Sequence, residues 1–145
     1  MTPNHADAVD VLLKYYDAVR TGNVAGINQY FDSTLTAISL SGSNSISGAE
    51  NIDAVFATLI DTWNNLGVSL KIEYDRNQFQ IDTIQPNVVM IRTRLTNYRV
   101  TGELFESWNC MYVLVNTEAG WKISLATFDD KGTQEFADSP QRDGG

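Results

Sequence analysis

The sequence has little of what most often carries covalent or metal chemistry. Its 145 residues include one cysteine, Cys110, and one histidine, His5. A single cysteine excludes an intramolecular disulfide framework. One cysteine and one histidine leave no characteristic ligand set for zinc or iron, so neither a metal nor a cofactor is expected. No glycine-rich phosphate loop is present. No stretch approaches the roughly 18 apolar residues needed to cross a bilayer. No basic amino-terminal segment leads into an apolar run, and the expectation is a cytoplasmic protein. Cations are scarce too: ten Lys and Arg stand against eighteen Asp and Glu, a net charge of -8. That balance repels phosphate backbones and anionic surfaces, so neither nucleic acid nor a membrane is an expected partner.

What is present is an ordinary globular composition, 43% hydrophobic and 19% charged, in a chain of the usual length for one domain. Residues 5 to 21 carry Ala8, Val9, Leu12, Leu13, Tyr15, Tyr16 and Val19 as one broad apolar stripe, which predicts a helix stopped by Gly22. Asn23 can cap a short second helix carrying Val24, Ile27, Tyr30 and Phe31. A strand-like run follows at Leu35 to Leu40, then a Ser-, Gly- and Asn-rich loop from Ser41 to Ser45. Ser47 and Glu50 have the spacing of a capping box, opening a third helix with Ile52, Val55, Phe56, Leu59, Ile60, Trp63 and Leu66 on one face and Gly67 beyond its end.

The period then changes to two. Val68, Leu70, Ile72 and Tyr74 alternate with polar residues, predicting a half-buried strand. The parity shifts to Phe79 and Ile81, which places a bulge or bend near Arg76 to Gln78. Two long strands, Val88–Val100 and Glu103–Val115, flank Thr101-Gly102, and a last strand runs from Trp121 to Phe128. A two-residue turn at Thr101-Gly102 sets Val89 opposite Leu114, Ile91 opposite Tyr112, Thr93 opposite Cys110, Leu95 opposite Trp108 and Asn97 opposite Glu106. A loop over Thr117 to Gly120 sets Leu114 opposite Ile123, Tyr112 opposite Leu125, Cys110 opposite Thr127 and Trp108 opposite Asp129. Both assumptions put one mainly apolar set on a single face of three strands, which the helices must cover. The expected fold class is therefore α+β, with three amino-terminal helices packed in the concave face of a curved, mostly antiparallel sheet. Residues 1–130 form one domain and 131–145 an acidic, frayed tail. The opposite face mixes Met90, Arg92, Arg94, Met111 and Phe128, the composition of an interface, and a homodimer through this convex face is expected.

The element order resembles the nuclear transport factor 2-like superfamily, the cone-shaped fold that includes ketosteroid isomerase and the SnoaL-like polyketide cyclases. The resemblance rests on the segment Lys14 to Ile27, which runs from aromatics through Gly22-Asn23 into a short helix ending in Phe31. Ser47-Gly48 and the final-strand run Gly120-Trp121-Lys122-Ile123-Ser124-Leu125 add to it. It implies a pocket on the concave face. In the isomerase a first-helix tyrosine and a protonated acid donate hydrogen bonds to an enolate while an aspartate moves the proton. Here the resemblance puts Tyr15 at the tyrosine position, Ser39 at the base and Tyr112 at the second acid. A serine without an adjacent histidine cannot replace a carboxylate base, so that activity is not expected.

Two catalytic candidates remain. Asp129 would act as acid or base if the cavity raises its pKa, against a solvated aspartate at a strand end. Tyr15 would act as a hydrogen-bond donor, against a packed core aromatic. The ligand-binding candidates are Tyr16, Trp63, Asn97, Trp108, Cys110, Tyr112 and Thr127; Trp63 and Trp108 read as core before ligand platform, and Cys110 as a small core residue. The function expected is a pocket domain that binds a small apolar molecule. The alternative is a cofactor-independent acid–base isomerase, cyclase or dehydratase acting on a small hydrophobic substrate.

Overall fold

Hydrophobic periodicity decides the first element. A computed structural model describes residues 5–39 and 42–128, and in it α1 (His5–Thr21) buries Ala8, Val9, Leu12, Tyr15, Tyr16 and Val19, the i, i+3, i+4 stripe of an amphipathic helix. The second helix expected after Asn23 is a single 3-10 turn, Ile27–Tyr30. Its length is set by β1 (Phe31–Ser39), which claims Phe31 for the sheet. The fold therefore has two α-helices rather than three.

A strand stands where the loop was expected. β2 (Gly42–Ser47) pairs antiparallel with β1, from Thr34 opposite Ser47 to Ser39 opposite Gly42. It is exposed at every position except Ile46, so it has no apolar alternation to announce it; its backbone pairing alone makes it a strand. The pairing also overturns the capping box. The Ser47 hydroxyl lies 3.0 Å from Thr34 Oγ1, Gly48 is the N-cap without a side-chain bond, and α2 runs Ala49–Asn65. Its far end is a Schellman motif. The Val68 N–H donates to Trp63 O (2.9 Å) and the Gly67 N–H to Asn64 O (3.2 Å), with Gly67 at φ +70°.

The half-buried strand expected at Val68–Tyr74 keeps its burial pattern but not its ladder. Val68 and Ile72 are buried, yet the segment forms only isolated bridges, Glu73 to Thr96 in β4 (Val88–Tyr98) and Val68 to Arg99 just beyond it. The reason is local: the Ile72 N–H turns back to Leu70 O at 2.9 Å, a bond between residues two apart that no extended strand can make. The bend expected near Arg76–Gln78 is a 3-10 turn there, capped by Asp75, whose carboxylate accepts from the Asn77 N–H.

β3 (Gln80–Gln85), β4, β5 (Leu104–Thr117) and β6 (Gly120–Phe128) complete a curved six-stranded sheet in the order β2-β1-β6-β5-β4-β3. All neighbours are antiparallel except β1 and β6, which run parallel. The β4–β5 register is the expected one from Val89 opposite Leu114 to Asn97 opposite Glu106. The turn is not: a shift after Asn97 puts Tyr98 opposite Leu104, and the Arg99 N–H reaches Glu103 O at 2.7 Å.

In the next hairpin Leu114 does face Ile123, but Ser124 is an extra residue on β6, so Val113 faces Leu125, Tyr112 faces Ala126 and Met111 faces Thr127. This bulge reverses the parity of everything beyond it. Leu125 and Thr127 are moved off the concave face, and fully buried Ala126 takes the inward place. The concave face then reads Val89, Ile91, Thr93, Leu95 and Asn97 on β4, with Trp108, Cys110, Tyr112 and Leu114 on β5, all buried under α1 and α2.

Candidate ligand site

The chemistry available to this fold is decided by which polar groups the concave face carries inward. Two tyrosines meet at its centre. Tyr16, from α1, donates its phenolic hydrogen to the Tyr112 hydroxyl of β5 at 3.0 Å, with the Cys110 sulfur 4.0 Å from the Tyr16 oxygen. The Cys110 thiol in turn points to Thr93 O across the ladder, at 3.8 Å. Burial, reinforced by the adjacent Cys110 thiol, pushes Tyr16 well above the ordinary phenol value of 10.0, and burial together with Tyr16 does the same to Tyr112. Both phenols therefore stay protonated near neutrality and are hydrogen-bonding groups, not bases.

Tyr15, the neighbouring residue on α1, does something else. Its ring packs against Tyr16, Phe31, Phe56 and Tyr112, with centroids 5.2 to 6.2 Å apart and mostly edge-on. The donor of the first helix to Tyr112 is thus Tyr16. Tyr74 and Phe79 extend the aromatic cluster outward from Tyr16 along the irregular segment, at 5.0 and 6.0 Å.

A second polar group lies toward the end of the face where β4 leaves the sheet. Trp108 is opposite Leu95, and therefore diagonal to both Thr93 and Asn97 on the same face. Trp63 arrives from the helix layer. The Schellman turn behind it is held to the end of β4 by Ser69 N–H to Tyr98 O (2.8 Å), Val100 N–H to Gly67 O (2.9 Å) and Arg99 Nη1 to Leu66 O (2.8 Å). Trp63 and Trp108 are each 4% exposed, Asn97 1% and Thr93 6%. Trp63 Nε1, Trp108 Nε1, Asn97 Oδ1 and Thr93 Oγ1 are all buried without a hydrogen-bond partner among the described residues. Buried polar atoms are paired in the great majority of cases, so these four orphans, three on the sheet and one on α2, call for an explanation.

No buried carboxylate accompanies them: Thr93 and Asn97 are the buried polar residues among the described ones. One carboxylate was overlooked by sequence reasoning. Glu106 lies opposite Asn97 at the rim, half-buried and in inward register. The pairing alone could have found it, since Asn97–Glu106 follows from the same turn that fixed the other pairs. Asp129 lies outside the described residues, and the pairing that turned it inward is replaced by Cys110 opposite Phe128. Thr127 is on the other face, where its hydroxyl accepts from the Met111 N–H at 3.0 Å. The tail expected beyond residue 130 also lies outside the described residues, and of Ser39 only the backbone is described.

An open groove of about 750 Å³ is lined by the turn Asn77–Gln80 and by Arg92, Thr93, Arg94, Asn109, Cys110, Met111 and Thr127, so it reaches the strands of Thr93 and Cys110 as well as the outer-face side chains. Arg92 pairs with Asp82 across the β3–β4 ladder at 3.4 Å, and Arg94 donates to Asn109 Oδ1 at 3.2 Å. Among the described residues no helix is long and apolar enough to cross a membrane, and no group of three His, Cys, Asp or Glu residues is placed to share a metal ion.

Solved structures share this architecture. A protein of unknown function with a cystatin-like fold from Nostoc punctiforme superposes with a TM-score of 0.71 over 90% of this chain and 96% of its own, at 13% identity. Aln2 from a Streptomyces species gives 0.69 over 94% and 99% at 11% identity. A ketosteroid isomerase-like protein from Erwinia carotovora atroseptica gives 0.63 over 84% and 92% at 11% identity. At these identities the likeness is one of fold. No curated protein matches the sequence. The family described as NTF2-like protein (DUF6841) matches residues 6–130, and the chain belongs to that family.

Proposed function

We propose that this chain is a small-molecule-binding cone domain that does not perform acid–base catalysis. One observation carries the reading: among the described residues the buried concave face offers neutral hydrogen-bonding groups and no buried carboxylate. Trp63, Trp108, Asn97 and Thr93 present four unpartnered polar atoms, while Tyr16 and Tyr112 are held neutral. Neutral groups of this kind can orient a ligand, and none of these six could move a proton between carbon atoms at neutral pH. The test is a thermal-shift series with small apolar compounds. A molecule that binds only the folded state raises Tm, and the rise grows with the logarithm of its concentration above Kd. Rising Tm with at least one member supports the reading, and a flat series up to the solubility limits removes it.

The rival reading is an isomerase, cyclase or dehydratase, and it rests on Glu106, the one described carboxylate in inward register on β4–β6. Isomerisation of a β,γ-unsaturated ketone above the buffer rate, lost in Glu106→Gln, would overturn the non-catalytic proposal.

Self-association through the outer face belongs to the same proposal. Met90, Met111 and Val113 are half-buried there beside exposed Arg92 and Arg94, the mixture of Met and Arg that interfaces favour. Sedimentation at twice the chain mass, reverting to the monomer in Met111→Glu, supports it; a wild-type monomer at high micromolar concentration does not.

A further inference from the structure

We infer that the outer groove binds a small organic monoanion, a carboxylate on an aromatic body, held by Arg94 with its ring over Met111. This is a second site, and it does not rest on the concave-face reading. Strand register builds it. Gln80 on β3, Arg92 on β4, Met111 on β5 and Thr127 on β6 are successive cross-strand partners, and so form one row across the sheet. Arg94 and Asn109 are partners in the neighbouring row. Residues two apart on a strand share a face, so both arginines rise from the same side of β4, and both are exposed. The 3-10 turn before β3 borders them with Asn77, Gln78 and Phe79. The groove of about 750 Å³ enclosed in this way has two arginines and no carboxylate in its lining.

Charge decides the ligand class. Arg94 donates from Nη1 to the Asn109 side-chain oxygen at 3.2 Å, a neutral partner that orients the guanidinium and leaves its charge uncompensated. Among the described residues no carboxylate lies within ion-pair reach of Arg94. Arg92 does meet one, Asp82 at 3.4 Å, but both side chains are about half exposed (52% and 49%), and such a pair is weak in water. Two cations against one carboxylate leave one net positive charge at the groove, in a chain whose total is -8. That excess fits a single carboxylate, whose two oxygens match the planar fork of an arginine. A phosphate dianion would need a second uncompensated cation. Glu73 and Asp75, which line an adjoining depression that shares Gln78 and Arg94, oppose the second negative charge. The apolar part of the lining is half-buried Met111 and Phe79, and a thioether packs well against an aromatic ring. A ligand here and a second copy on the outer face would cover the same side chains, so each excludes the other.

Methionine methyl groups make the test direct, since the chain has three methionines. In the full chain labelled with ¹³C-methyl methionine, the Met90 and Met111 resonances are assigned with Met90→Leu and Met111→Leu. Benzoate, benzamide and inorganic phosphate are titrated in turn at constant ionic strength. The expected result is a saturable shift of the Met111 methyl with benzoate, with benzamide and phosphate each weaker by about tenfold or more. Arg94→Gln should weaken benzoate by about tenfold or more and leave benzamide unchanged. Asp82→Asn, which lies outside the lining, should tighten benzoate by about twofold or more, because it releases Arg92. A purely structural role for the arginines would give no such gain. If Arg94→Gln does not fold, Asp82→Asn and the wild-type ranking of the probes decide. Benzamide or phosphate binding as tightly as benzoate overturns the ligand class. A still Met111 methyl with every probe up to its solubility limit overturns the site, also where a second copy is what keeps the groove covered. Benzoate that moves the Trp63 or Trp108 indole protons and leaves Met111 still overturns this inference and supports the concave-face reading, so the two fail separately.

Discussion

Tyr16 and Tyr112 are joined by a 3.0 Å hydrogen bond between two phenols that are both shut away from solvent, one on the first helix and the other ninety-six residues later on the central strand. Neither can be replaced without consequence for the other. Tyr16→Phe removes the donor and Tyr112→Phe the acceptor, and each single change leaves a buried hydroxyl short of a partner. Each should cost about 1–3 kcal/mol in urea unfolding. The double variant should cost less than the sum, because neither orphan is then left. Simple additivity would show that the two hydroxyls do not act as a pair.

The same two residues predict behaviour in alkali. Their folded pKa values lie well above 10.0 because burial opposes the phenolate. Between that value and the folded one, the unfolded chain loses these protons while the folded chain keeps them. Their contribution to stability is thus fully present below pH 10 and declines as pH rises beyond it. Tyrosinate absorbance from these two residues should appear only with unfolding, and the Tyr16→Phe/Tyr112→Phe protein should show a shallower alkaline loss. Ionisation of both in the native fold, ahead of any unfolding, would contradict the prediction.

Asp53 predicts the opposite limb. From α2 its carboxylate accepts the Gly26 N–H (3.1 Å), the Asn28 N–H (2.9 Å) and the Asn28 side-chain amide (3.1 and 3.0 Å), and so pins the turn that leads into β1. Desolvation acts to raise its pKa, but the bonds from Asn28 and Gly26 together outweigh it, and the net value falls below 3.8. A depressed carboxylate stabilises above its unfolded pKa and ceases to do so as pH falls through the folded one. Asp53→Asn should therefore lose about 1 kcal/mol near neutrality, the loss being modest because the site is only part-buried. It should also flatten the acid limb below pH 4, as read from urea midpoints at stepped pH.

Gly67 carries the geometry that brings Trp63 to the end of β4. Its φ of +70° closes the Schellman turn, and a Cβ there would meet no atom within 4 Å. Gly67→Ala should thus test backbone strain alone and destabilise by about 1 kcal/mol. If the substitution is neutral in thermal unfolding, the turn does not depend on glycine.

Much of this architecture could be read from the sequence, and the failures have physical causes. The β4–β5 register is marked by side chains that alternate without interruption between Val89 and Asn97, although the two-residue turn at Thr101-Gly102 expected to set it is not the one formed. The next register failed at one residue, Ser124, because a bulge inserts itself by backbone geometry and leaves no compositional mark. That slip turned Thr127 outward and withdrew the argument for Asp129. β2 was invisible because an exposed edge strand needs no apolar side chains. Tyr16 and Tyr112 are both candidates in the sequence, but which first-helix tyrosine donates to Tyr112 depends on the rotation of α1 over the sheet. The four orphan atoms are a property of what does not approach them, and a sequence contains no record of that.

The parallel pairing of β1 with β6 has a consequence for biogenesis. Phe31 lies beside Ile123 and Ile38 beside Thr127, so among the described residues the hairpin of β1 and β2 joins the rest of the sheet through β6, the last described strand. The β1–β2 hairpin must wait for that strand to clear the ribosome, with the β1 edge open and the side of α1 that packs on β6 uncovered in the meantime. Such long-range closure slows folding and lengthens exposure to aggregation. In a stalled-chain protease assay, resistance should appear in one late step after residue 128 emerges.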